Sequence, residues 1–397
     1  MRDLDIVVYG ATGFTGRLVA EYLARLSAER RAAGAAPLRW ALGGRNEAKL
    51  AAVRSALGTL DPEARRLELL VASSGDDAGM RRIAARTRVL LTTVGPYARY
   101  GHGVVAACVA EGADYVDITG EPDFVSAIRE RHGAEAEAAG ARIVSCCGFD
   151  SVPHDLGAWF TARQLPSDAP MVIEGFVEAK GRPSGGTWQT ATDAMGELLK
   201  KPKGGRRPRS ASGERKVKPL ATKVRYEPRL KAWVAPFPSI DPVIVCRSAK
   251  ALAEFGPDFR YGHYLRLGTL PKLVKAGAFV GGVFALAQTP PTRRLLQRFN
   301  PPGEGPDEAM RARSWFVVTF LGRAGGDEVR CEVSGGDPGY GETSKMIAEA
   351  ALTLAEDRDR LPGPTGVLTP AVALGAPYLE RLQRAGLRFE LTGCRCT

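Results

Sequence analysis

The feature that most constrains this chain is a short apolar run that stops at a glycine-rich turn and passes at once into an amphipathic helix. Asp5-Ile6-Val7-Val8-Tyr9 has the length and composition of a buried parallel strand. Gly10-Ala11-Thr12-Gly13-Phe14-Thr15-Gly16 follows, and then Leu18, Val19, Tyr22, Leu23 and Leu26 recur at helical spacing. Glycine is 46 of the 397 residues, so the glycines alone would say little, and it is the strand before and the helix after that give them meaning. The pattern G-x-x-G-x-x-G is one residue longer in its first gap than the usual dinucleotide pattern. Gly10 permits the sharp turn, Gly13 lets a diphosphate approach the backbone, and Gly16 lets the helix sit close to the strand. The helix then offers its free N–H groups and positive dipole end to the phosphates. Gly10, Thr12, Gly13, Phe14, Thr15 and Gly16 are therefore the first candidate cofactor contacts.

The same alternation continues. Strands are expected at Leu38–Gly43, Leu67–Val71, Val89–Val94, Tyr115–Ile118 and Arg142–Cys147, with helices at Glu47–Leu57, Gly103–Glu111 and about Phe124–Ala139. Six strands alternating with helices predict an α/β fold, an N-terminal Rossmann domain with a doubly wound parallel sheet. Ligands of such sheets lie at the carboxyl ends of the strands, which singles out the loops at 10–16, 44–46, 72–74, 95–97, 119–121 and 148–150. Gly95 and Pro96 join the candidate cofactor contacts on that ground.

The end of the second strand decides which nicotinamide cofactor is expected. An NAD enzyme usually places a carboxylate there for the ribose 2′-hydroxyl. Here the residues are Gly43-Gly44-Arg45-Asn46, with no carboxylate before Glu47. A guanidinium grips a 2′-phosphate that a carboxylate would repel. Arg45 and Asn46, with Lys49 one turn later, point to NADP(H).

Bulk properties narrow the class. A chain of 397 residues exceeds one ordinary core, and 44% hydrophobic with 25% charged residues is the balance of a folded soluble protein. The polar start Met1–Asp5 does not read as a signal peptide. Seven cysteines without a C-x-x-C pair and four scattered histidines suggest neither a metal site nor a disulfide framework, and the expected setting is the reducing cytoplasm. Of the net charge of +11, all lies between Lys200 and Lys231, where 13 Lys or Arg face 2 Asp or Glu. Part of this stretch is expected to be a mobile loop, either solvated or docking on an acidic carrier protein or an anionic membrane. Nucleic acid is not an expected partner, since no binding motif or aromatic interleaving accompanies the charge.

Five segments resemble, in order, the saccharopine dehydrogenase-like oxidoreductases: Val7–Gly16 (VVYGATGFTG), Ala41–Leu50 (ALGGRNEAKL), Thr93–Tyr97 (TVGPY), Tyr115–Glu121 (YVDITGE) and Cys147–His154 (CGFDSVPH). With Ser334–Met346 (SGGDPGYGETSKM), the resemblance is closest to the branch of trans-acting enoyl reductases of lipid biosynthesis. It implies an NADP-dependent Rossmann domain at 1–150, an α+β substrate domain with a mixed sheet at 151–346, and a return of 347–397 to the first domain. It also implies reduction of a double bond in acyl chains carried by an acyl carrier protein or synthase.

Such chemistry needs a donor to the thioester oxygen and a proton for the adjacent carbon. Tyr97, Asp150 and His154 are the candidate catalytic groups, the phenol for the developing enolate and the imidazole for a proton at neutral pH. Each has a structural alternative, Tyr97 as a packed aromatic and His154 as a helix-start residue. Glu121 is expected to start a helix, Cys147 to be a buried thiol, and Tyr340 to sit in a turn facing a cleft. The apolar run Ala276–Ala287 is expected to be a core helix in preference to a membrane anchor. Two rival functions stay open, a saccharopine-type amino-acid dehydrogenase and a non-catalytic NADP(H)-binding, lipid-associated protein.

Overall fold

The computed structural model describes residues 2–181, 185–197, 215–299 and 305–395. The chain divides into two compact units, Met1–Val152 with Asp337–Leu387, and Pro153–Gly336 with Arg388–Thr397.

The first unit opens with β1 (Leu4–Tyr9), α1 (Phe14–Ala32), β2 (Trp40–Gly44), α2 (Glu47–Leu57), β3 (Leu69–Val71) and α3 (Asp77–Arg86). It continues with β4 (Thr87–Thr92), α4 (Tyr97–Glu111), β5 (Asp114–Asp117), α5 (Pro122–Ala138) and β6 (Arg142–Val144). The second unit holds α6 (Val152–Ala162, beginning at the junction), β7 (Met171–Lys180), α7 (Gly185–Glu197), β8 (Lys216–Pro219), β9 (Arg225–Glu227) and β10 (Ala232–Pro236). Then come α8 (Asp241–Ala251), β11 (Asp258–Gly268), α9 (Leu270–Ala287), α10 (Pro290–Arg298), α11 (Glu308–Ala312), β12 (Trp315–Ala324) and β13 (Asp327–Gly335). The chain returns to the first unit as α12 (Gly341–Glu356), β14 (Gly366–Leu368) and α13 (Pro370–Arg384), and ends in the second as β15 (Arg388–Arg395).

The first sheet is parallel throughout, in the order β3-β2-β1-β4-β5-β6-β14. Its first six strands have the doubly wound Rossmann order, which places the exits of β1 and β4 side by side. The central strands are buried on both faces, which is why they read as unbroken apolar runs. Helix starts follow the local chemistry. Asn46 Oδ1 accepts from Lys49 N at 2.9 Å to start α2, and Asp76 accepts from Gly79 N at 2.9 Å to start α3.

The second sheet is mixed, in the order β15-β13-β12-β7-β11-β10-β9, with β8 paired to β11. Here β11 runs parallel to β7 and β8 while the other pairs are antiparallel. Stacked Phe176 and Tyr264, with centroids 5.1 Å apart, anchor part of its core.

Three features differ from the expectations. The chain re-enters the first unit at Asp337 instead of Ile347, because the Asp337 carboxylate accepts from Tyr340 N and Gly341 N and so starts α12 early. The final strand leaves that unit again, since β15 finds a full antiparallel ladder on β13. The run Ala276–Ala287 is not a core helix: within α9 the buried residues are Val283 and Ala287 alone. Of the basic stretch, 200–214 lies outside the described residues. Beyond it the chain forms β8 and β9, and Arg225 pairs with Glu174 at 2.8 Å and with Glu227 at 2.9 Å.

Candidate functional site

At the end of β1 the backbone turns through Gly10, whose φ of +92° lies in the region that favours glycine. Gly10 N donates to Gly43 O at 2.9 Å, and Thr93 Oγ1 donates to Gly10 O at 3.3 Å, so β2 and the exit of β4 fix the turn from both sides. A Cβ on Gly16 would stand 2.8 Å from the Gly10 carbonyl carbon and collide with its oxygen. A Cβ on Gly13 would meet, among the described residues, only Gly10 O at 3.4 Å, so the front of the turn is open. Helix α1 begins there with Gly13 as its cap, no capping side chain and no acidic residue in its first turn. These are the properties of a turn that takes a diphosphate.

The helix after β4 is a useful contrast. The main-chain N–H groups of Tyr97 and Ala98 donate to the two carboxylate oxygens of Glu121, each at 2.8 Å. The start of α4 is thus capped by the protein's own anion, whereas α1 has no capping side chain and no acidic residue in its first turn. Glu121, expected to open α5, does precede that helix while its side chain caps the neighbouring one.

Arg45 follows β2 as an exposed residue, and among the described residues it makes no ion pair. Its charge reaches the strand ends: burial pushes the Tyr9 phenol up to about 12, and the Arg45 guanidinium opposes that rise. Asn46 is exposed beside it, with Oδ1 used to cap α2. Gly95 and Pro96, joined by a cis peptide bond, lie exposed at the exit of β4. Thr15 is half-buried, and Thr12 stands on the turn.

Comparison with known proteins gives the family. No family model matches the chain. A Mycobacterium tuberculosis protein provisionally named a trans-acting enoyl reductase is 37% identical over 428 residues, covering 98% of each chain. The trans-acting enoyl reductase of Mycobacterium leprae is 34% identical over 425 residues, again with 98% of each covered. The chain belongs to the trans-acting enoyl reductase family. Among solved structures, saccharopine dehydrogenase (L-Glu forming) from Saccharomyces cerevisiae matches 98% of this chain and all of its own, at TM-score 0.55 and 14% identity. That likeness is one of fold. Membership of the enoyl reductase family makes the chain an oxidoreductase, which implies a nicotinamide cofactor.

The three candidate catalytic groups of this family member fare differently. Tyr97 is not positioned as an enolate donor. It is buried against Phe124, its hydroxyl donates to Thr92 O at 3.3 Å and accepts from Ile118 N at 3.4 Å. Burial, with the Asp117 carboxylate second, pushes the phenol well above its ordinary range. Tyr97→Phe should therefore cost roughly 0.5–1.5 kcal/mol of stability, the worth of one buried hydrogen bond. Denaturant melts should show this loss while turnover stays within about twofold, and a large fall in turnover would return Tyr97 to the chemistry.

His154 does not act as a proton shuttle at neutral pH. It is buried in the second unit, with Nε2 3.6 Å from Asp241 Oδ2 and its ring edge-on to His263 at 4.9 Å. Burial lowers its pKa to about 4, only partly opposed by Asp241, so the imidazole is neutral at pH 7. An unfolded histidine takes up a proton near 6.5. The stability carried by this depressed pKa is complete above that value and is lost as pH falls toward 4. Asp117, raised to about 6 by burial despite four hydrogen bonds, acts in the opposite sense between its ordinary pKa of 3.8 and 6. The His154 contribution is therefore read as a difference. From pH 7 to pH 4.5 the wild type should lose roughly 2–3 kcal/mol more than His154→Gln, and equal losses would contradict it.

Asp150 is the group that stays at the ligand end of the sheet, half-buried after β6, with Oδ2 where a Cβ on Gly120 would lie 3.3 Å away. Cys147 is a buried thiol bonded to Val144 O, as expected. Tyr340 does not face a cleft: it is buried with its ring edge-on to Phe14 at 4.8 Å. The segment before α12 thus braces the glycine turn, and Thr343 Oγ1 likewise accepts from Phe149 N at 3.1 Å. A separation of more than 300 residues hid this contact from the sequence reading.

Proposed function

We propose that this chain is an NADPH-dependent enoyl reductase that works in trans on acyl chains held by a separate synthase or acyl carrier protein, in lipid or polyketide biosynthesis. The observation that carries the cofactor choice is Arg45. It is a solvent-facing guanidinium without an ion pair among the described residues, at the end of β2, with no carboxylate between it and the strand. The 2′-phosphate is its natural complement. The relatives' names supply the reaction and its action in trans.

When bound, the cofactor supplies a hydride for the β-carbon of the enoyl thioester. The chain's part is placement. The start of α1 and its dipole hold the diphosphate, with Gly10, Thr12, Gly13, Phe14, Thr15 and Gly16 shaping the turn. Arg45 and Asn46 hold the adenosine end, and Gly95 and Pro96 border the opposite side of the turn. Asp150 is assigned the proton for the α-carbon, because Tyr97 and His154 are committed elsewhere. Asp150→Asn should lower turnover about 100-fold, in the range of a lost general acid. NADPH affinity should stay within about threefold in that variant. The proposed setting is the cytoplasm, with an anionic membrane surface as a second contact.

The direct test is NADPH oxidation with enoyl thioesters, free and carrier-bound, set against saccharopine-type substrates. Turnover with enoyl chains, faster on the carrier, is the expected result. Turnover confined to amino-acid substrates, or tight NADPH binding without any turnover, would overturn the assignment.

A further inference from the structure

Helix α9 contradicts the usual fate of such a sequence. Its 18 residues include only two charged ones, Lys272 and Lys275, and apolar residues lie on every side of it. A helix that is apolar all round belongs inside a protein or inside a membrane. Yet Val283 and Ala287 are its only buried residues, packed with Leu296 of α10 and with Trp188 and Met195 of α7. Leu273, Ala276 and Phe284 are half-buried and the other residues face outward, with Val274 63% and Phe279 64% exposed; α10 continues the surface with Leu295 at 55% and Phe299, just beyond its end, at 69%. Among the described residues, half of the exposed large hydrophobic residues lie in this one stretch. A contiguous patch of this kind marks an interaction surface.

Charge identifies what covers it. Between Asp258 and Glu304 there is no acidic residue, while seven Lys or Arg fall in the same interval. Arg266 pairs with Glu178 and Arg293 with Asp193. Among the described residues Lys272, Lys275, Arg294 and Arg298 have no such partner, and they are exposed on the same two helices as the apolar residues. Exposed apolar residues accompanied by uncompensated cations match hydrocarbon beneath anionic headgroups.

The topology fixes the depth. The helix length is 18 residues, which at about 1.5 Å each gives roughly 27 Å, long and apolar enough to cross a bilayer. The chain, however, leaves and returns on one side. Strand β11 runs parallel to β7, and β12 pairs antiparallel with β7 so that Trp315 stands opposite Lys180. The end of β11 and the start of β12 therefore share one end of the sheet. Trp315 is 39% exposed there, a residue type that favours the membrane–water interface.

We propose that α9 and α10 form a one-sided membrane-embedded element that seats the second unit on an anionic bilayer. This deepens the proposed membrane contact by naming its surface, and it does not depend on catalysis. The test is flotation of the full chain with vesicles of phosphatidylcholine alone and of phosphatidylcholine with phosphatidylglycerol. The wild type should float with the anionic vesicles, and added salt should weaken but not abolish this. The double variant Val274→Glu, Phe279→Glu should lose binding by about tenfold or more. Neutralising Lys272, Lys275, Arg294 and Arg298 to Gln should remove the preference for anionic lipid. All these positions are exposed, so melting temperatures should not move. Wild type that stays at the bottom with both vesicles would overturn the proposal, as would flotation unchanged by the Glu variant. A dimer in light scattering that the Glu variant splits would overturn it too, since the face would then belong to a second copy. NADPH turnover on a soluble thioester should be equal in all variants, so a failure there speaks against the reductase reading and leaves this surface standing.

Discussion

Arg45→Asp should bind NADPH at least about a hundredfold more weakly while its affinity for NADH changes little. A guanidinium on a phosphate makes two charge-assisted hydrogen bonds of roughly 1.5–3 kcal/mol each. Removing both and adding a repelling carboxylate costs at least about 3 kcal/mol, and each ~1.4 kcal/mol is a factor of ten. Arg45 is exposed, so the fold has no stake in it and the melting temperature should not change. Arg45→Lys keeps the charge but not the planar fork, and should fall between, near tenfold. Titrations with both cofactors decide the matter. Equal losses for NADPH and NADH would show that Arg45 supports the turn and does not touch the extra phosphate.

Gly16→Ala is expected to damage both the fold and cofactor binding. The added Cβ meets the Gly10 carbonyl and Thr93 Oγ1, the latter at 2.9 Å, and the carbonyl is main chain held by β1 and by the turn. It cannot swing away, so α1 must move off the sheet. Overpacking of this kind costs roughly 1–3 kcal/mol, and the shifted helix start no longer meets a diphosphate. The informative control is Gly13→Ala. Its φ of −76° suits any residue and its Cβ has room within the protein. That variant should melt like wild type and still lose about tenfold or more in NADPH affinity, because its methyl stands where the diphosphate approaches. Denaturant melts and cofactor titrations on the pair separate the two roles. If Gly13→Ala bound NADPH normally, the turn would be a strand–helix connection and nothing more.

What the sequence made legible is what local periodicity encodes. The strand, turn and helix at 4–32 involve neighbours along the chain, and the same holds for β2 with Arg45 at its end and for α2, whose cap Asn46 is adjacent. The start of α4 was misread as Gly103 because Gly101 and Gly103 weaken the helical pattern, and because its cap comes from Glu121 on another loop. That error also misplaced Tyr97, which the early helix start turns into the core. His154, Asp241 and His263 gather from positions far apart in the second unit, and no spacing in the sequence announces them. The first boundary, expected after residue 150, falls after Val152, but the return to the first unit did not show, since Asp337 caps a helix that its own composition suggests only a few residues later. The sequence marked Ala276–Ala287 as apolar, but composition does not say whether anything covers a helix. Only the fold of the second unit shows that little of it is covered.

The account rests on a phosphorylated nicotinamide cofactor seated at the start of α1 with its extra phosphate on Arg45. Titration calorimetry of the full chain against NADPH and NADH tests this most directly. Saturable binding of one NADPH per chain, about tenfold or more tighter than NADH, is the predicted result. The absence of saturable heat with NADPH or NADP, or equal affinity for the unphosphorylated pair, would contradict it.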